Sequence, residues 1–158
     1  MATDLEKAVT RDDIDGKGLK IGIVQSRFNQ EIGNALLSAC KSQLLLSQVD
    51  EKDITVMTVP GALESPLMLH EMALTGSFDG LIALGCIIRG DTYHFEIVAN
   101  ESARCISDIQ IETGIPIANA ILTTENEDQA IARMTIKGTE AAQVVMEMIL
   151  ALKSLGQN

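Results

Sequence analysis

The sequence predicts an α/β protein in which a four-stranded parallel sheet lies between two layers of helices. Four short segments are apolar, rich in β-branched residues and flanked by Gly, Pro or Asp, which is typical of buried strands. Longer stretches with apolar residues at helical spacing separate these segments. Strict alternation of strand and helix favours right-handed crossovers, and it therefore predicts a three-layer, doubly wound sandwich of the flavodoxin-like type with helices on both faces.

The predicted elements follow one another without a linker or an internal repeat. The predicted strands are residues 19–25, 54–59, 81–88 and 115–122, and helices fill the intervals between them. After the last strand, residues 125–134 are predicted to form a short helix, and a longer final helix runs to about Leu152. The dipeptide Lys137-Gly138 is interpreted as the break between these two helices, because glycine disfavours the helix interior.

The composition indicates one acidic globular domain. Of the 158 residues, 46% are hydrophobic, and 12 Lys plus Arg against 22 Asp plus Glu give a formal charge of −10. This apolar content excludes intrinsic disorder, and no run approaches the roughly 20 apolar residues that span a bilayer. The negative charge and the absence of Trp argue against nucleic-acid binding. Residues 1–18 are predicted to be an N-terminal arm outside the core, and residues 19–158 a single domain.

The expected location is the cytoplasm. The first residues carry Asp4 and Glu6 and do not resemble a secretory signal. Cys40, Cys86 and Cys105 are odd in number and widely spaced, so they are predicted to be reduced core residues.

Neither a metal nor a cofactor is expected. The chain has two histidines, far apart in sequence, and it lacks the spacing of a zinc-binding helix. It also lacks the glycine-rich loops that hold nucleoside triphosphates and dinucleotides.

Two residues at the predicted ligand-binding edge have side chains suited to binding. Ligands of such sheets bind outside the carboxyl ends of the strands. Phe28 follows the first strand, where its ring could stack on a planar ligand, and a purely structural role is the alternative. Glu64 follows the turn made by Pro60 and Gly61, where its carboxylate could accept hydrogen bonds from ligand hydroxyls. The alternative for Glu64 is a charge that complements a helix dipole.

The stretch after the third strand is typical of an anion pocket. Asp91 and Thr92 precede a predicted helix, whose free N–H groups and dipole attract a phosphate. His94 falls in the first turn of that helix, where the dipole disfavours the imidazolium, so we expect a neutral imidazole that accepts a proton. Arg133 and Lys137 are the candidate cations for the phosphate, and the alternative is that they offset acidic surface residues.

Several short motifs occur in one order along the chain between about Leu19 and Leu152. They are Arg27-Phe28-Asn29, Val59-Pro60-Gly61-Ala62 with Glu64 and Pro66, Ile88-Arg89-Gly90 with Thr92 and His94-Phe95-Glu96, Asn100-Glu101, Leu122-Thr123-Thr124-Glu125-Asn126, and Gln129-Ala130. Each motif alone is weakly specific, but together and in this order they are highly specific. The sequence thus resembles the 6,7-dimethyl-8-ribityllumazine synthase family.

The resemblance implies an enzyme of riboflavin biosynthesis that uses no cofactor and no metal. Its reaction condenses 5-amino-6-(D-ribitylamino)uracil with 3,4-dihydroxy-2-butanone 4-phosphate and releases phosphate and water. The resemblance also implies a homopentamer with its sites between adjacent subunits, and riboflavin synthase as a candidate partner.

Carried over position by position, the resemblance also implies roles for individual residues. His94 would be the proton shuttle. Phe28 would stack on the pyrimidine ring, Ile87 and Ile88 would flank that ring, and Ala62, Leu63 and Glu64 would bind the ribityl chain. The phosphate would be bound by Asp91 and Thr92 together with Arg133. Lys137 and Glu140 would line the site. The neighbouring subunit would supply Asn119, Arg133 and Lys137.

Three features of the chain depart from the family pattern. Asn119 stands where many relatives have an aromatic residue, so stacking from the neighbouring subunit is missing. Leu63 replaces a commonly aromatic neighbour of Glu64, with little expected effect because its backbone does the binding. The segment from Arg133 to Lys137 is shorter than in many relatives, at a joint that affects assembly beyond pentamers, and we expect a free pentamer. Asn119 leaves open a non-catalytic paralogue that binds lumazine or riboflavin, and a structural shell protein is a further alternative. The arm could pair with a neighbouring sheet or remain mobile.

Overall fold

The computed structural model describes residues 13–156 and shows strands alternating with helices. In chain order the elements are β1 (Ile21–Ser26), α1 (Gln30–Leu46), β2 (Ile54–Val59), α2 (Ser65–Leu74), β3 (Gly80–Ile88), α3 (His94–Thr113), β4 (Ile117–Thr124) and α4 (Glu127–Ser154), with short 3₁₀ turns at Glu51–Asp53 and Ala62–Glu64. The four strands are parallel and lie in the order β2-β1-β3-β4. This arrangement confirms the predicted doubly wound, flavodoxin-like sheet.

Helices cover both faces of the sheet and create two cores. Helices α1 and α4 enclose one core, which includes Ile23 and Leu36. Helices α2 and α3 enclose the other, which includes Val24 and Leu69. Ile23 and Val24 fall in different cores because successive side chains of a strand point to opposite faces. Because both faces are covered, the central strands β1 and β3 are buried along almost their whole length.

Strand β2 lies at an edge of the sheet, so the prediction that all four strands are buried is wrong for this one. Ile54 and Val56 are half-buried against the core under α1 and α4, whereas Thr55 and Met57 on the opposite face are exposed. Strand β4 forms the other edge and begins two residues later than predicted. The delay has a local cause, since Pro116 lacks the N–H group that pairing requires.

Helix α4 is continuous, so the predicted break at Lys137-Gly138 is wrong. Gly138 is buried where α4 crosses α1. A Cβ atom at this position would overlap the carbonyl oxygen of Leu36 and lie 3.0 Å from the Cβ of Ala39. The glycine therefore permits close approach of two helix backbones instead of ending a helix.

The described part of the predicted N-terminal arm packs on the core, contrary to the prediction. Ile14 is buried in the core between α1 and α4, and the N–H of Gly16 donates to the carbonyl oxygen of Ser47 at 2.7 Å. Residues 1–12 lie outside the described residues, and with them the choice between a paired and a mobile arm.

The three cysteines are free thiols in different environments. Cys40 and Cys86 are buried, as predicted, but Cys105 is only half-buried. The buried side of α3 runs through Ser102, Ile106 and Ile109, which leaves Cys105 on the flank of the helix.

None of the helices within residues 13–156 combines the length and the apolar character needed to cross a membrane.

Candidate functional site

A cavity of about 440 Å³ opens at the carboxyl ends of β1, β2 and β3. Its volume is in the range of sites for small molecules. Three segments that are distant in sequence meet there, as the rule for parallel sheets predicts. The lining includes eight of the predicted site residues, Phe28, Ala62, Leu63, Glu64, Ile87, Ile88, Thr92 and His94.

Phe28 lies in the turn between β1 and α1. Its side chain is 72% exposed, so it is not a core residue. The preceding residue, Arg27, ties the turn to the end of β2, because its N–H donates to the carbonyl oxygen of Val59 at 2.9 Å and its guanidinium to Oγ1 of Thr58 at 3.0 Å. The ring is therefore presented to the cavity by a turn that is anchored on its neighbouring strand.

Glu64 approaches the cavity from the other side. It ends the 3₁₀ turn Ala62–Glu64 and precedes α2, so it stands at the N-cap position of this helix rather than inside its first turn. Its N–H donates to the carbonyl oxygen of Gly61 at 3.1 Å, and its carboxylate is exposed. An exposed carboxylate at the mouth of an apolar cavity is suited to accept hydrogen bonds from hydroxyl groups.

The loop between β3 and α3 brings His94 to the cavity. Helix α3 begins at His94, whose backbone N–H points to Oγ1 of Thr92 at 3.4 Å. Gly90 and Thr92 line the cavity, and Asp91 lies between them on the exposed part of the loop. Tyr93, the only tyrosine of the chain, is 70% exposed immediately before His94. The N-terminus of a 20-residue helix therefore faces this end of the cavity, where its dipole favours an anion.

Arg89 is held by two carboxylates beside the same loop. Its guanidinium forms ion pairs with Glu96, in the first turn of α3, and with Glu125 at 2.6 Å, and it lies 4.4 Å from the ring centroid of Phe95. The hydrogen bond with Glu96, followed by that with Glu125, raises the pKa of Arg89, and the same bond to Arg89 lowers the pKa of Glu96. Arg89 is thus neutralised by its partners and joins the end of β3 to the start of α3.

The ion pair of Arg89 predicts a loss of stability in acid. Because Glu96 has a lowered pKa in the folded chain, its contribution is present above the ordinary glutamate range, about 4.3, and is lost as the pH falls through the folded value. We expect the stability difference between the wild type and Glu96→Gln to shrink as the pH is lowered from 7 through this range. Urea unfolding of both proteins at several pH values measures it, and a constant difference would contradict the pairing.

The wall of the cavity formed by β3 is apolar. Burial, with a smaller effect from the charge of Glu127, raises the pKa of the Cys86 thiol to about 11, so the thiol stays neutral near pH 7.

Among residues 13–156, no group of three or more His, Cys, Asp or Glu side chains could hold a metal ion. That the protein works without a metal and without a cofactor stays a prediction.

Four more predicted residues lie in a second cavity, of about 350 Å³, between β4 and α4, whereas Asp91 lines neither cavity. This cavity is lined by Asn119, Arg133, Lys137 and Glu140, among others. Nζ of Lys137 pairs with Glu140 at 2.9 Å, and Nη1 of Arg133 donates to the carbonyl oxygen of Gln129 at 2.9 Å. Within the described part of the chain, the two cavities share no lining residue, and no Arg or Lys lines the first. A single chain therefore does not bring His94 together with Arg133.

Seven further residues line the first cavity and were not predicted as site residues: Asn29, Pro60, Gly61, Cys86, Gly90, Phe95 and Val98. Phe95 and Val98 follow His94 by one and four positions, so a helical projection from His94 could have found them. Asn29 and Cys86 had no such local signal.

Comparison with known proteins adds an independent observation to this geometry. A family model described as 6,7-dimethyl-8-ribityllumazine synthase matches residues 18–153. A protein of that name from Methylobacillus flagellatus is 64% identical over 143 residues, which are 90% of this chain and 96% of the relative. The chain belongs to the 6,7-dimethyl-8-ribityllumazine synthase family.

Two other proteins named 6,7-dimethyl-8-ribityllumazine synthase are also similar to this chain over most of its length. The relative from Paraburkholderia phymatum is 57% identical over 86% of this chain and 79% of its own length. The relative from Azoarcus sp. is 54% identical over 90% of this chain and 92% of its own. Membership in this family of transferases, which act in riboflavin biosynthesis, confirms the resemblance carried by the motifs. Nothing in the comparisons supports the non-catalytic alternative.

Proposed function

We propose that this chain condenses 5-amino-6-(D-ribitylamino)uracil with 3,4-dihydroxy-2-butanone 4-phosphate to 6,7-dimethyl-8-ribityllumazine. The observation that carries the proposal is the first cavity, where an exposed aromatic ring, an exposed carboxylate and a histidine at a helix N-terminus converge. Each of these groups matches one part of the two substrates: a planar pyrimidine, a chain of hydroxyls, and a phosphate beside a reacting carbonyl.

The pyrimidine substrate would occupy the apolar part of the cavity. Phe28 would stack on the ring, with Ile87 and Ile88 against its other side. The ribityl chain would extend towards the turn at Ala62, Leu63 and Glu64, where the carboxylate accepts hydrogen bonds from its hydroxyls. Leu63 would contribute to ribityl binding through its backbone. The presence of leucine where many relatives have an aromatic residue should therefore have little effect on this binding.

The phosphate would lie at the loop between β3 and α3. Backbone N–H groups of Asp91 and Thr92, together with the dipole of α3, would hold it. The neighbouring Arg89 is already paired with two carboxylates, so the neutralising cation has to come from elsewhere.

His94 would move the protons of the reaction. The primary amine of the pyrimidine attacks the ketone, and loss of water gives an imine. Removal of a proton from the adjacent carbon lets the carbon–oxygen bond to phosphate break, which releases inorganic phosphate. The elimination leaves an enol, which takes up a proton at its terminal carbon and becomes a ketone. The ribityl-bearing nitrogen then attacks this new carbonyl, and a second loss of water closes the ring. An imidazole can take and return these protons near neutral pH, and holding both substrates together supplies much of the rate.

The cation of the phosphate site would come from a second copy of the chain. Arg133, Lys137, Glu140 and Asn119 line a separate cavity on the same chain, so they complete the first cavity only if a neighbour presents them. We propose a homopentamer with sites between adjacent subunits, which is a closed assembly built from one repeated interface. Sedimentation should give a mass about five times that of the 17.0 kDa chain; a monomer would contradict the proposal.

Removal of Arg133 should mainly weaken binding of the phosphorylated substrate. Arg133→Ala deletes a cation that the phosphate needs, so we expect a rise of about tenfold or more in KM for that substrate, because charge-assisted hydrogen bonds contribute about 1.5–3 kcal/mol. The KM for the pyrimidine should stay close to that of the wild type. Steady-state kinetics with each substrate varied in turn measures both, and a rise confined to the pyrimidine KM would place Arg133 wrongly.

Mixing two defective chains tests whether Arg133 acts across the interface. His94→Ala and Arg133→Ala chains are unfolded and refolded together, and each is also refolded alone as the control. If a neighbour supplies Arg133, mixed assemblies contain some intact sites and regain activity at low phosphate-substrate concentration. Activity equal to the mean of the two separate proteins would show that both residues serve the site of one chain.

The proposal as a whole is tested by lumazine formation from the two substrates, with purified protein against the spontaneous reaction. Acceleration over the spontaneous rate is expected. Formation at the background rate, together with tight binding of riboflavin, would instead favour the non-catalytic alternative.

We place the reaction in the cytoplasm, supported by the free thiols of Cys40, Cys86 and Cys105. Riboflavin synthase, which would consume the product, is a candidate partner.

A further inference from the structure

Asn29 has a backbone conformation that is rare for residues other than glycine. Its φ and ψ angles are 56° and 53°, in the left-handed helical region. Among the described residues, Gln48 is the only other non-glycine residue with a positive φ. Asparagine tolerates this region better than most residues, but the conformation still has an energetic cost that the surroundings must offset.

The side chain of Asn29 makes a hydrogen bond that extends the sheet. The pairing of β1 with β3 ends at Gln25 and Leu84. Two residues further along β3, the carbonyl oxygen of Cys86 accepts a hydrogen bond from Nδ2 of Asn29 at 2.9 Å, in a partly buried position. The amide thus takes the place of a strand partner and fixes the turn after β1 to the end of β3.

The backbone of Asn29 is fixed on its other side as well. Its carbonyl oxygen accepts hydrogen bonds from the N–H groups of Ile32 and Gly33 at 3.1 and 3.2 Å, which begin helix α1. Phe28, by contrast, is mostly exposed, so core packing does not orient its ring. The direction of the ring therefore depends on the backbone to which it is attached.

We propose that Asn29 is a positioning residue that holds Phe28 at a defined place relative to Ile87 and Ile88, the two residues that follow Cys86 on β3. The bond from Asn29 to Cys86 sets the spacing between the ring and this wall, so that one flat heterocycle fits between them. This inference rests on the proposed function, because the pyrimidine substrate is the heterocycle in question.

Asparagine is suited to this position because it combines two properties. Glycine adopts the left-handed conformation readily but lacks the amide. Aspartate tolerates the conformation, but its carboxylate would face the carbonyl oxygen of Cys86 and repel it. Asn29→Gly therefore removes the hydrogen bond without adding backbone strain, which makes it the informative variant.

A double-mutant cycle of Phe28→Ala and Asn29→Gly tests whether Asn29 acts through Phe28. We expect Asn29→Gly alone to raise the KM for the pyrimidine by about 5- to 10-fold, the effect of losing one hydrogen bond that aligns a binding group, with the KM for the phosphorylated substrate unchanged. In the Phe28→Ala background the same change should have less than about a twofold effect, because coupled residues are not additive. Asn29→Asp should raise the pyrimidine KM further than Asn29→Gly.

Two control variants separate positioning from general effects on the fold. Asn34→Ala removes another side-chain hydrogen bond from the first half of α1, the one from Gln25 at 2.8 Å, outside the cavity. Gln48→Gly relieves a left-handed residue away from the site. Both should leave both KM values unchanged, and thermal unfolding followed by circular dichroism shows whether any variant has lost its fold.

Each outcome of the cycle supports or overturns the inference. An unchanged pyrimidine KM in Asn29→Gly overturns the inference. It is also overturned if the rise in pyrimidine KM of the double variant equals the product of the rises in the two single variants, since Asn29 would then act independently of Phe28. Riboflavin titration of the wild type and of the three variants in the cycle gives a second readout without turnover. If the riboflavin affinities of the four proteins show the same coupling between Phe28 and Asn29 but the wild type forms no lumazine, the proposed function alone is rejected. If the riboflavin affinities show no coupling and the wild type forms no lumazine, the function and the inference are rejected together.

Discussion

Replacement of His94 by alanine is expected to lower the turnover number of lumazine formation by about 10- to 100-fold. General bases usually contribute about 10²- to 10⁴-fold, and the smaller loss follows because holding two reactive substrates side by side already supplies part of the rate. The KM values should change little, since the imidazole acts on protons that move during the reaction. The measurement is the rate at saturating concentrations of both substrates.

The other histidine provides a matched control for His94. His70 lies on α2, half-buried and 3.6 Å from the carboxylate of Glu71, and it does not line the first cavity among the described residues. His70→Ala should leave turnover unchanged while making the same change in side-chain chemistry. Unchanged turnover in His94→Ala would remove this residue from the proton transfers, even if the enzyme assignment itself holds.

Substitution of Gly138 is expected to have the largest effect on stability. In Gly138→Val the new side chain would collide with the backbone of α1 at Leu36 and with Ala39, and neither can move without shifting the helix. Overpacking of this kind typically costs about 1–3 kcal/mol, and a backbone collision places the expected loss near the upper end. Helix propensity changes little between glycine and valine, so the loss reports the collision.

An exposed position of the same helix supplies the comparison for Gly138. Ala132 lies on the outer side of α4, and Ala132→Val should cost well under 1 kcal/mol because only helix propensity changes. Urea unfolding at a fixed protein concentration gives both free energies, with the concentration held constant because assembly contributes to stability. Equal losses at the two positions would mean that the crossing of α1 and α4 tolerates a side chain at residue 138.

Local patterns in the sequence were sufficient to predict the alternation of strands and helices. Strand β2 was predicted with its observed bounds, and β1 and β3 within two residues, because apolar, β-branched segments between turn residues report directly on strands. The exposure of β2 could not be predicted in the same way. It depends on the order of strands in the sheet, and alternation alone does not place β2 at the edge.

The errors at β2, at Gly138 and in the N-terminal arm share one physical cause, which is that distant contacts override local preference. The local signal of Gly138 is a helix break, but the contact with Leu36 in another helix makes it a packing residue within a continuous helix. The same limit applies to the site. Phe28, Glu64 and His94 could be predicted from their positions after strands, whereas the hydrogen bond from Asn29 to Cys86 joins residues that no local pattern relates.

The exposed Tyr93 gives this protein an intrinsic optical reporter. The chain has no tryptophan and a single tyrosine, so all of its tyrosine emission originates one residue from His94. Any conjugated ligand that enters the first cavity comes close to this fluorophore and should quench it, without a label or an engineered residue. The occupancy of the site can then be followed in real time during mixing, even for ligands that undergo no reaction.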